Sequence, residues 1–209
     1  MGTDEKFDYL IADQLKAKAP DAVIGREIIV LRETSSTNDA ISRIASTDGL
    51  PSMPEGLVVF AEYQTDGRGQ RGSRWESAAG KGLWFSILLR PNIPLSDSGQ
   101  LTIWAIQAVS DVIRASFGLE PAIKLPNDVQ LNGRKVSGVL VEMRAQPKAP
   151  HLAVVGIGIN VNQCRDDFPA DLQDRATSLA LELGRQVDRQ SFAAVLLRKL
   201  DVTYGKNLL

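Results

Sequence analysis

The sequence predicts an α+β fold: a mixed, largely antiparallel β-sheet flanked by helices. Three observations support this prediction. Strand-like apolar runs follow one another in neighbouring hairpins. Helical segments are too few for a repeated strand–helix–strand order. Finally, the 209 residues contain no internal repeat, low-complexity tract or linker, so residues 1–209 are expected to form one domain, with residues 1–25 as an N-terminal extension.

Short runs rich in apolar and β-branched residues, bounded by turn residues, predict the strands. These runs are Glu27–Arg32, Gly56–Tyr63, Leu83–Leu89, Val136–Met143 and Leu152–Val161. The dipeptide Asn132-Gly133 is a strong signal for a two-residue turn, and it predicts a hairpin over Val129–Val141.

Helices are predicted where apolar residues recur every three or four positions. The helical segments lie within residues 1–25 and at Ala40–Ala45, Ser96–Phe117 and Ser191–Tyr204. The first would end before Pro20, and the cap-forming cluster Thr34–Asp39 precedes the second. The third is long and amphipathic, with Ser96 or Asp97 as its N-cap and Gly118 as its C-terminal stop.

Composition and charge restrict the function. Hydrophobic residues make up 44% of the chain, and 24 Lys and Arg residues nearly balance 25 Asp and Glu residues. The net charge of −1 gives no general attraction to nucleic acid or to anionic membranes. The N-terminus is polar, and no apolar run approaches membrane-spanning length. These features predict a soluble cytoplasmic protein.

Cys164 is the only cysteine and His151 the only histidine. An internal disulfide and a multi-cysteine metal site are therefore excluded, which indicates a reducing compartment. Nucleophilic schemes that pair Ser or Cys with His are weakened, because His151 opens an apolar, strand-like run. Cys164 lies in a polar turn and is disfavoured as a nucleophile.

The stretch Gln64–Gly82 concentrates five glycines and the four cations Arg68, Arg71, Arg74 and Lys81. Glycine lets backbone N–H groups approach a ligand, and arginine binds phosphate or carboxylate through a rigid fork of donors. The stretch is therefore interpreted as a loop that closes over an anion. The alternative is a solvated loop between two strands.

The spacing Gly67-x-Gly69-x-x-Gly72 formally matches the dinucleotide-binding pattern. That pattern needs a helix after its third glycine, and Gly72 is followed by polar residues and then a strand. A Walker-type phosphate loop is also absent from the sequence. The glycines therefore predict neither a dinucleotide-binding fold nor a Walker-type nucleotidase.

Five motifs in this order closely resemble those of biotin protein ligases. They are the turn Ser35–Asn38, the glycine- and arginine-rich loop Gln64–Trp75, Lys124–Asp128, Ser137–Glu142 and Gly156–Asn162. The resemblance implies a biotin/lipoate ligase catalytic domain, similar to class II aminoacyl-tRNA synthetases. It also implies a two-step reaction, in which ATP and biotin give biotinyl-5′-AMP and a lysine of a biotin carboxyl carrier protein then receives the biotin.

The resemblance assigns roles to residues by their place in the motifs. Lys124, Arg68 and Arg71 would be catalytic, because joining two anions requires fixed cations. Biotin would contact Ser36, Thr37, Asn38, Gln64, Arg68, Gly69, Gln70, Lys124 and Gly138. The adenylate would contact Gly67, Arg71, Gly72, Trp75, Asn127 and Asn160, although Trp75 and the two asparagines could instead serve in packing or turns. Mg²⁺ is the expected ion, and its ligands are not identified.

The sequence departs from the family pattern in several places. Gln70 stands where many members have arginine, Ser73 where some have another, and Leu125 replaces a usual tryptophan. Neutral residues in the loop are expected to loosen retention of the adenylate. The small C-terminal β-barrel and the N-terminal DNA-binding domain of some members are expected to be absent, and no DNA binding is expected.

Rival functions remain open at this point. A lipoate or octanoyl ligase would share the fold and the adenylation step. A non-catalytic biotin-binding module would bind the ligand without releasing pyrophosphate. Homodimerisation through a sheet edge, common in the family, is compatible with the sequence but not established by it.

Overall fold

The computed structural model describes residues 8–17, 21–47, 54–145 and 151–207. Its strands are β1 (Ile28–Leu31), β2 (Val58–Ala61), β3 (Gly82–Leu89), β4 (Ala122–Lys124), β5 (Asp128–Leu131), β6 (Arg134–Arg144) and β7 (Leu152–Asn160). Its α-helices are α1 (Ala12–Leu15), α2 (Thr37–Thr47), α3 (Gly99–Phe117), α4 (Leu179–Leu183) and α5 (Arg189–Asn207).

All seven strands belong to one sheet in the order β1-β2-β3-β7-β6-β5-β4. Only β1 and β2 pair in parallel, and the other neighbours are antiparallel. The predicted fold class, a mixed and largely antiparallel sheet flanked by helices, is therefore confirmed. The predicted hairpin is present as well, with Asn132 and Gly133 both at positive φ (49° and 76°) as its tight turn requires.

The two faces of the sheet carry different layers. On β3, the side chains of Leu83, Phe85 and Ile87 join the main core, which includes residues of α3 and α5. On the opposite face Leu88 packs in a second cluster with Ile41 of α2. Every residue of β3 is buried, which explains why its sequence is an apolar run interrupted at Ser86 instead of an alternating pattern.

The predicted helices are present with shifted ends. The predicted cap of α3 at Ser96 or Asp97 is wrong: Leu95–Asp97 forms a separate 3₁₀ turn, and α3 follows Ser98 without a side-chain cap. Asp97 instead accepts hydrogen bonds from its neighbours Ser96 and Gln100. The helix ends as predicted at Gly118, which adopts the left-handed conformation.

The first and last helices also differ from expectation. Helix α1 is a single turn, and Pro20, where the sequence predicted its end, lies outside the described residues. Helix α5 extends the predicted Ser191–Tyr204 segment at both ends. Asp188 caps it by accepting from the Ser191 N–H (3.0 Å) and hydroxyl (2.6 Å), and these hydrogen bonds lower the pKa of Asp188. In the described part of the chain, no helix has the length and apolarity needed to cross a membrane.

Candidate active site

A group of buried polar side chains lies where α2 begins. Ser36, Thr37, Asn38 and Gln64 are each at most 9% exposed. The backbone N–H and hydroxyl of Thr37 donate to Gln64 Oε1, at 2.9 and 3.2 Å. The Ser86 hydroxyl lies 2.7 Å from Thr37 Oγ1 and 2.6 Å from Asn38 Oδ1. The predicted cap cluster therefore begins the helix and also forms a connected polar group above the sheet.

Beside this polar group, three glycines leave the surface of the sheet without side chains. This surface, formed by Gly138, Gly156 and Gly158, is the floor of the cleft. Gly138 and Gly158 are paired across β6 and β7, and Gly156 lies two residues earlier on β7. A Cβ on Gly156 would lie 2.4 Å from Asn38 Oδ1, and one on Gly158 would lie 2.6 Å from the Trp75 ring. Only glycine fits at these positions, because other side chains must approach the sheet backbone there.

The glycine- and arginine-rich loop covers the floor. It folds on itself, with the Trp75 N–H donating to the Gly67 carbonyl (2.8 Å) and the Gly69 N–H to the Ser73 carbonyl (2.7 Å). The guanidinium of Arg68 pairs with Asp39 (2.7 Å) and Glu142 (3.1 Å). The loop is thereby fastened to α2 and β6, while its residues Arg71–Arg74 stay exposed to solvent.

The side chain of Trp75 lines the cleft. Its ring packs on the floor and meets Trp84 edge-on, with the ring centroids 5.8 Å apart. Its Nε1 is buried and has no hydrogen-bond partner among the described residues. Leaving such a donor unpaired is unfavourable, which suits a side chain that rearranges when a ligand binds.

The roots of the loop are anchored by charged groups behind the cleft. Glu62, just beyond the end of β2, forms an almost fully buried ion pair with Arg189 of α5 (2.9 Å). The same guanidinium donates to the carbonyl of Gly82, where β3 begins. Lys81 pairs with Asp167 (2.7 Å). Burial opposes ionisation of Asp167, but hydrogen bonds from Lys81 and Cys164 outweigh it and lower its pKa.

The structure brings many of the predicted site residues together around one cleft. Those that line it are Ser36, Thr37, Asn38, Gln64, Arg68, Gly69, Trp75, Asn127 and Gly138. Asn127 is fixed there because its side-chain amide donates to the Val139 carbonyl (2.9 Å). These residues come from motifs that are far apart in the sequence, and the fold brings them together in one site.

Other predicted residues do not line the cleft. Arg71 and Gly72 are exposed at the loop tip, where Arg71 adopts a left-handed conformation (φ 56°). Gly67 and Gln70 also lie outside the lining. Lys124, at the end of β4, is exposed and is not among the lining residues. Roles for these residues in catalysis, biotin binding or adenylate binding therefore stay predictions.

Asn160 is the last residue of β7, and its side chain is held by hydrogen bonds to neighbouring segments. Its amide nitrogen donates to the Thr177 carbonyl (2.9 Å) and its oxygen accepts from Gln163 (3.1 Å). These bonds match the packing alternative, and the predicted adenylate contact remains a prediction.

Lys135 is a lining residue that the sequence did not single out. Its Nζ lies 2.6 Å from Asp128 Oδ1 and 5.2 Å from the centroid of the Trp75 ring. A Cβ on Gly138 would lie 3.0 Å from both Cε and Nζ of Lys135. The end of the lysine side chain therefore lies directly on the glycine floor.

A β-bulge places Lys135 on this face. Val129 pairs with Ser137 whereas Gln130 pairs with Lys135, so Val136 is an extra residue on β6. Strict alternation would put Lys135 and Gly138 on opposite faces because their spacing is odd. The extra residue reverses the alternation, and bulges often re-aim side chains in this way next to functional sites. The only sequence signal was the place of Lys135 in the motif-bearing hairpin.

No group of three or more His, Cys, Asp or Glu side chains among the described residues could hold a metal ion. The cleft offers polar groups, a bare floor, an aromatic ring and two cationic side chains, Arg68 and Lys135. Such a site suits an organic acid with a polar head and an apolar body.

Several known proteins are similar to this chain in sequence. Residues 30–160 match the Biotin/lipoate A/B protein ligase family. The bifunctional ligase/repressor BirA of Bacillus spizizenii is 43% identical over 167 residues, which are 80% of this chain and 50% of that protein. The biotin–[acetyl-CoA-carboxylase] ligase of Paracoccus denitrificans is 33% identical, covering 80% of this chain and 68% of that protein.

A solved structure with the same fold contains ligands. The biotin protein ligase from Aquifex aeolicus in complex with biotin and ATP superposes with a TM-score of 0.72 at 32% identity. The match covers 87% of this chain and 71% of that one. By contrast, the chain spans about half the length of the Bacillus relative.

Proposed function

The chain belongs to the Biotin/lipoate A/B protein ligase family, and we propose that it activates biotin with ATP and transfers it to a lysine of a biotin carboxyl carrier protein. The observation that carries the proposal is the three-glycine floor, with buried polar groups at one end and a lysine at the other. The Aquifex protein, whose structure holds biotin and ATP, supports the choice of substrates.

In the first step, an oxygen of the biotin carboxylate attacks the α-phosphorus of ATP. The bond from that phosphorus to the bridging oxygen breaks, and pyrophosphate leaves with the electron pair. In the second step, the ε-amine of the acceptor lysine attacks the carbonyl carbon of the mixed anhydride. The bond from that carbon to the phosphate oxygen breaks, AMP leaves with the electron pair, and the nitrogen loses a proton to give the amide. In both steps negative charge develops on the reacting groups in the transition state, and fixed cations stabilise this charge. Lys124, Arg68 and Arg71 are the proposed catalytic cations.

The polar group at the start of α2 would bind the biotin head. The ureido ring carries both donors and acceptors, and the buried hydroxyl and amide groups of Ser36, Thr37, Asn38 and Gln64 offer both. The backbone of Gly69 and Gln70 would close over the tail of biotin. Gly138, which has no side chain, would allow the tail to approach the sheet closely. The dithiolane ring of lipoate has no comparable hydrogen-bonding groups, so this end of the cleft favours biotin over lipoate or octanoate.

The carboxylate of biotin would meet Lys135, which supplements Lys124 as a cation for the activation step. Asn38 lies over Gly156, whereas Lys135 and Trp75 lie over Gly138. Two residues along β7 span about 7 Å, and the step from β7 to β6 adds about 5 Å across the sheet. An acid whose head meets the polar group therefore extends across the floor toward the lysine.

The adenylate would occupy the region of the loop and the Asn127 turn. Gly67, Arg71, Gly72, Trp75, Asn127 and Asn160 are its proposed contacts. Arg68 is shared by Asp39 and Glu142 in this structure, so a phosphate would compete with two carboxylates for its donors. Binding of ATP is therefore proposed to open this pair and re-form the loop around the nucleotide.

Further parts of the proposal follow from the chemistry. Mg²⁺ would arrive with the phosphates of ATP, and acetyl-CoA carboxylase or another biotin-dependent carboxylase would supply the acceptor domain. Residues 1–209 would act as one catalytic domain in the cytoplasm. A homodimer formed through a sheet edge is compatible with the fold.

Transfer of labelled biotin to a carrier-protein domain tests the proposal. We expect label on the wild-type acceptor in the presence of ATP and Mg²⁺, and none on an acceptor whose target lysine is replaced by arginine. A lipoate ligase would transfer lipoate in preference, and a thermal-shift comparison of the two acids would reveal it. A binding module would be stabilised by biotin but would release no pyrophosphate.

A further inference from the structure

We propose that Glu142 is a positioning residue for recognition of the substrate head: it orients the side-chain amide of Asn38 so that the amide oxygen faces an N–H of the ligand. The inference rests on the proposed function and extends it to a residue outside the predicted set. Glu142 was predicted only as the end of a motif strand, without a role of its own.

The contacts of Asn38 define the orientation of its amide. Nδ2 donates to Glu142 Oε2 at 2.7 Å. A Cβ on Gly156 would lie 2.4 Å from Oδ1 and 3.3 Å from Nδ2, so the oxygen is the amide atom that lies closest to the floor. Asn38 is only 2% exposed. The cleft therefore presents an acceptor at this point. The Ser86 hydroxyl reaches this oxygen but is shared with Thr37, so a ligand N–H would supply a donor of its own.

The register of the sheet places Glu142 beside this end of the floor. Glu142 shares one face of β6 with Gly138, because residues at even spacing along a strand point to the same side. Leu140 pairs with Gly156, and Glu142 pairs with Val154, one alternate position further along both strands. The carboxylate therefore lies just beyond the floor, within reach of the start of α2.

Of the two described hydrogen-bond partners of the Asn38 amide, Glu142 is the one that distinguishes its two possible orientations. An ionised carboxylate accepts hydrogen bonds and cannot donate, so it requires the nitrogen of Asn38. Rotating the amide by 180° would place the oxygen against the carboxylate and lose a charge-assisted hydrogen bond. The other partner, Ser86, has a hydroxyl that can donate or accept and so tolerates either orientation.

The hydroxyl groups around Asn38 would even favour the rotated amide. The Thr37 hydroxyl donates to Gln64, so its oxygen is left to accept from Ser86. Ser86 has a single hydroxyl hydrogen, yet it faces the oxygens of both Thr37 and Asn38. An amide nitrogen in place of the Asn38 oxygen would relieve this competition. Glu142 therefore opposes a rotation that its neighbours permit.

Asp39 provides a matched comparison for Glu142. Both carboxylates pair with Arg68, at 2.7 and 3.1 Å, and their side chains are 41% and 39% exposed. Glu142 accepts a second hydrogen bond, from Asn38. Among the described residues, the side-chain hydrogen bond that Asp39 accepts comes from Arg68 alone. Removing the charge of either residue weakens the anchor of the loop, but only one removal frees the amide.

Binding of biotin and of its cyclic carbonate analogue, in which ring oxygens replace both ureido N–H groups, tests the inference. We expect the wild type to prefer biotin by about tenfold or more, because the analogue leaves the buried amide oxygen with the Ser86 hydroxyl alone, a donor that it shares with Thr37. Glu142→Gln keeps the size of the side chain but can donate to a rotated amide. It should reduce the preference to about threefold or less, and Glu142→Met should do the same.

Asp39→Asn should keep the wild-type preference, even if both affinities fall because the loop is anchored less firmly. Circular dichroism checks that all variants are folded. A wild-type preference in Glu142→Gln, or an equal loss of preference in Asp39→Asn, would overturn the inference while biotin binding and activation by the wild type stand. A wild type that binds neither compound would overturn the proposed function together with the inference.

Discussion

Gly158 is a position where one methyl group is too large. Its Cβ would lie 2.6 Å from the Trp75 ring, so Gly158→Ala must displace the ring or the ligand. Overpacking costs about 1–3 kcal/mol, which corresponds to roughly 5- to 150-fold in affinity. We expect weaker biotin binding by calorimetry with little change in secondary structure. Gly99→Ala is the control, because the position that its methyl group would take is open space; equal affinities in the two variants would contradict the proposed floor.

Lys124 and Lys135 are two candidate cations for the activation step. Lys124 is exposed at the end of β4, and Lys135 lies on the floor of the cleft. If each binds the reacting groups, Lys124→Met and Lys135→Met should both lower single-turnover formation of biotinyl-AMP by about 100-fold or more. Near-normal turnover in either variant would remove that lysine from its proposed role.

Lys199→Met is the control for these two variants. Lys199 pairs with Asp111 at 2.8 Å, and its side chain is 35% exposed against 33% for Lys135, but it lies on α5 away from the cleft. We expect it to form biotinyl-AMP at the wild-type rate. A similar fall in all three variants would show that the loss of any paired lysine impairs the protein, which would contradict a specific role.

Some residues of the site could be predicted from the sequence and others could not. Ser36, Thr37 and Gln64 were predicted from motif order, and the fold places them in one buried group. Lys135 was missed because the bulge at Val136 depends on pairing between two strands. Periodicity within one strand cannot reveal such a bulge. The bond from Asn38 to Glu142 spans 104 positions of the chain, so it too was beyond local patterns.

At the scale of elements, α5 supports the cleft from behind. Arg189 joins the ends of β2 and β3 through Glu62 and the Gly82 carbonyl, so both roots of the loop depend on one guanidinium. Arg189→Met would leave the Glu62 carboxylate buried without its cation. Loss of one partner of a buried pair costs about 3–5 kcal/mol. Urea denaturation should show this loss in the free energy of unfolding.

Arg165→Met provides the comparison for that measurement. Arg165 also pairs with a carboxylate, that of Asp174, at 2.7 Å, but both side chains are mostly exposed. Exposed pairs contribute little to stability. If the two variants were equally stable, the buried pair would not be the anchor of the loop that its geometry indicates.

The elements also differ in how well they could be predicted. Strands β3 and β7 and the hairpin turn at Asn132-Gly133 follow from local patterns, and the structure confirms them. Helix α4 has only five residues, too few to show a helical period, and it was missed. The contact between Glu62 and Arg189 joins residues 127 positions apart, and no local pattern encodes it.

At the scale of the whole molecule, several titrating groups predict how stability depends on pH. Burial opposes ionisation of Asp111, but hydrogen bonds from Lys199 and Gln107 outweigh it, so its pKa lies below the usual 3.8, as do those of Asp167 and Asp188. Lowered carboxyl pKa values contribute stability above the unfolded value, and this contribution is lost as the pH falls through the folded values.

Tyr204 predicts the alkaline limit. Burial, together with its hydrogen bond to Glu55 (2.6 Å), raises the pKa of Tyr204 well above the usual 10.0. The neutral phenol is favoured in the fold, so its contribution is present below pH 10 and declines as the pH rises above it. Thermal melts should show the midpoint falling below about pH 4 and above about pH 10. In Tyr204→Phe the alkaline decline should be smaller, and an unchanged decline would contradict the assignment.

The whole account depends on whether this cleft activates biotin. The most direct measurement is pyrophosphate release by the purified chain with ATP and Mg²⁺, in the presence and absence of biotin. We predict release that requires biotin, that an alcohol analogue lacking the carboxylate does not support, and that yields biotinyl-AMP by mass spectrometry. A folded protein that binds biotin but releases no pyrophosphate above the rate with ATP alone would contradict the account.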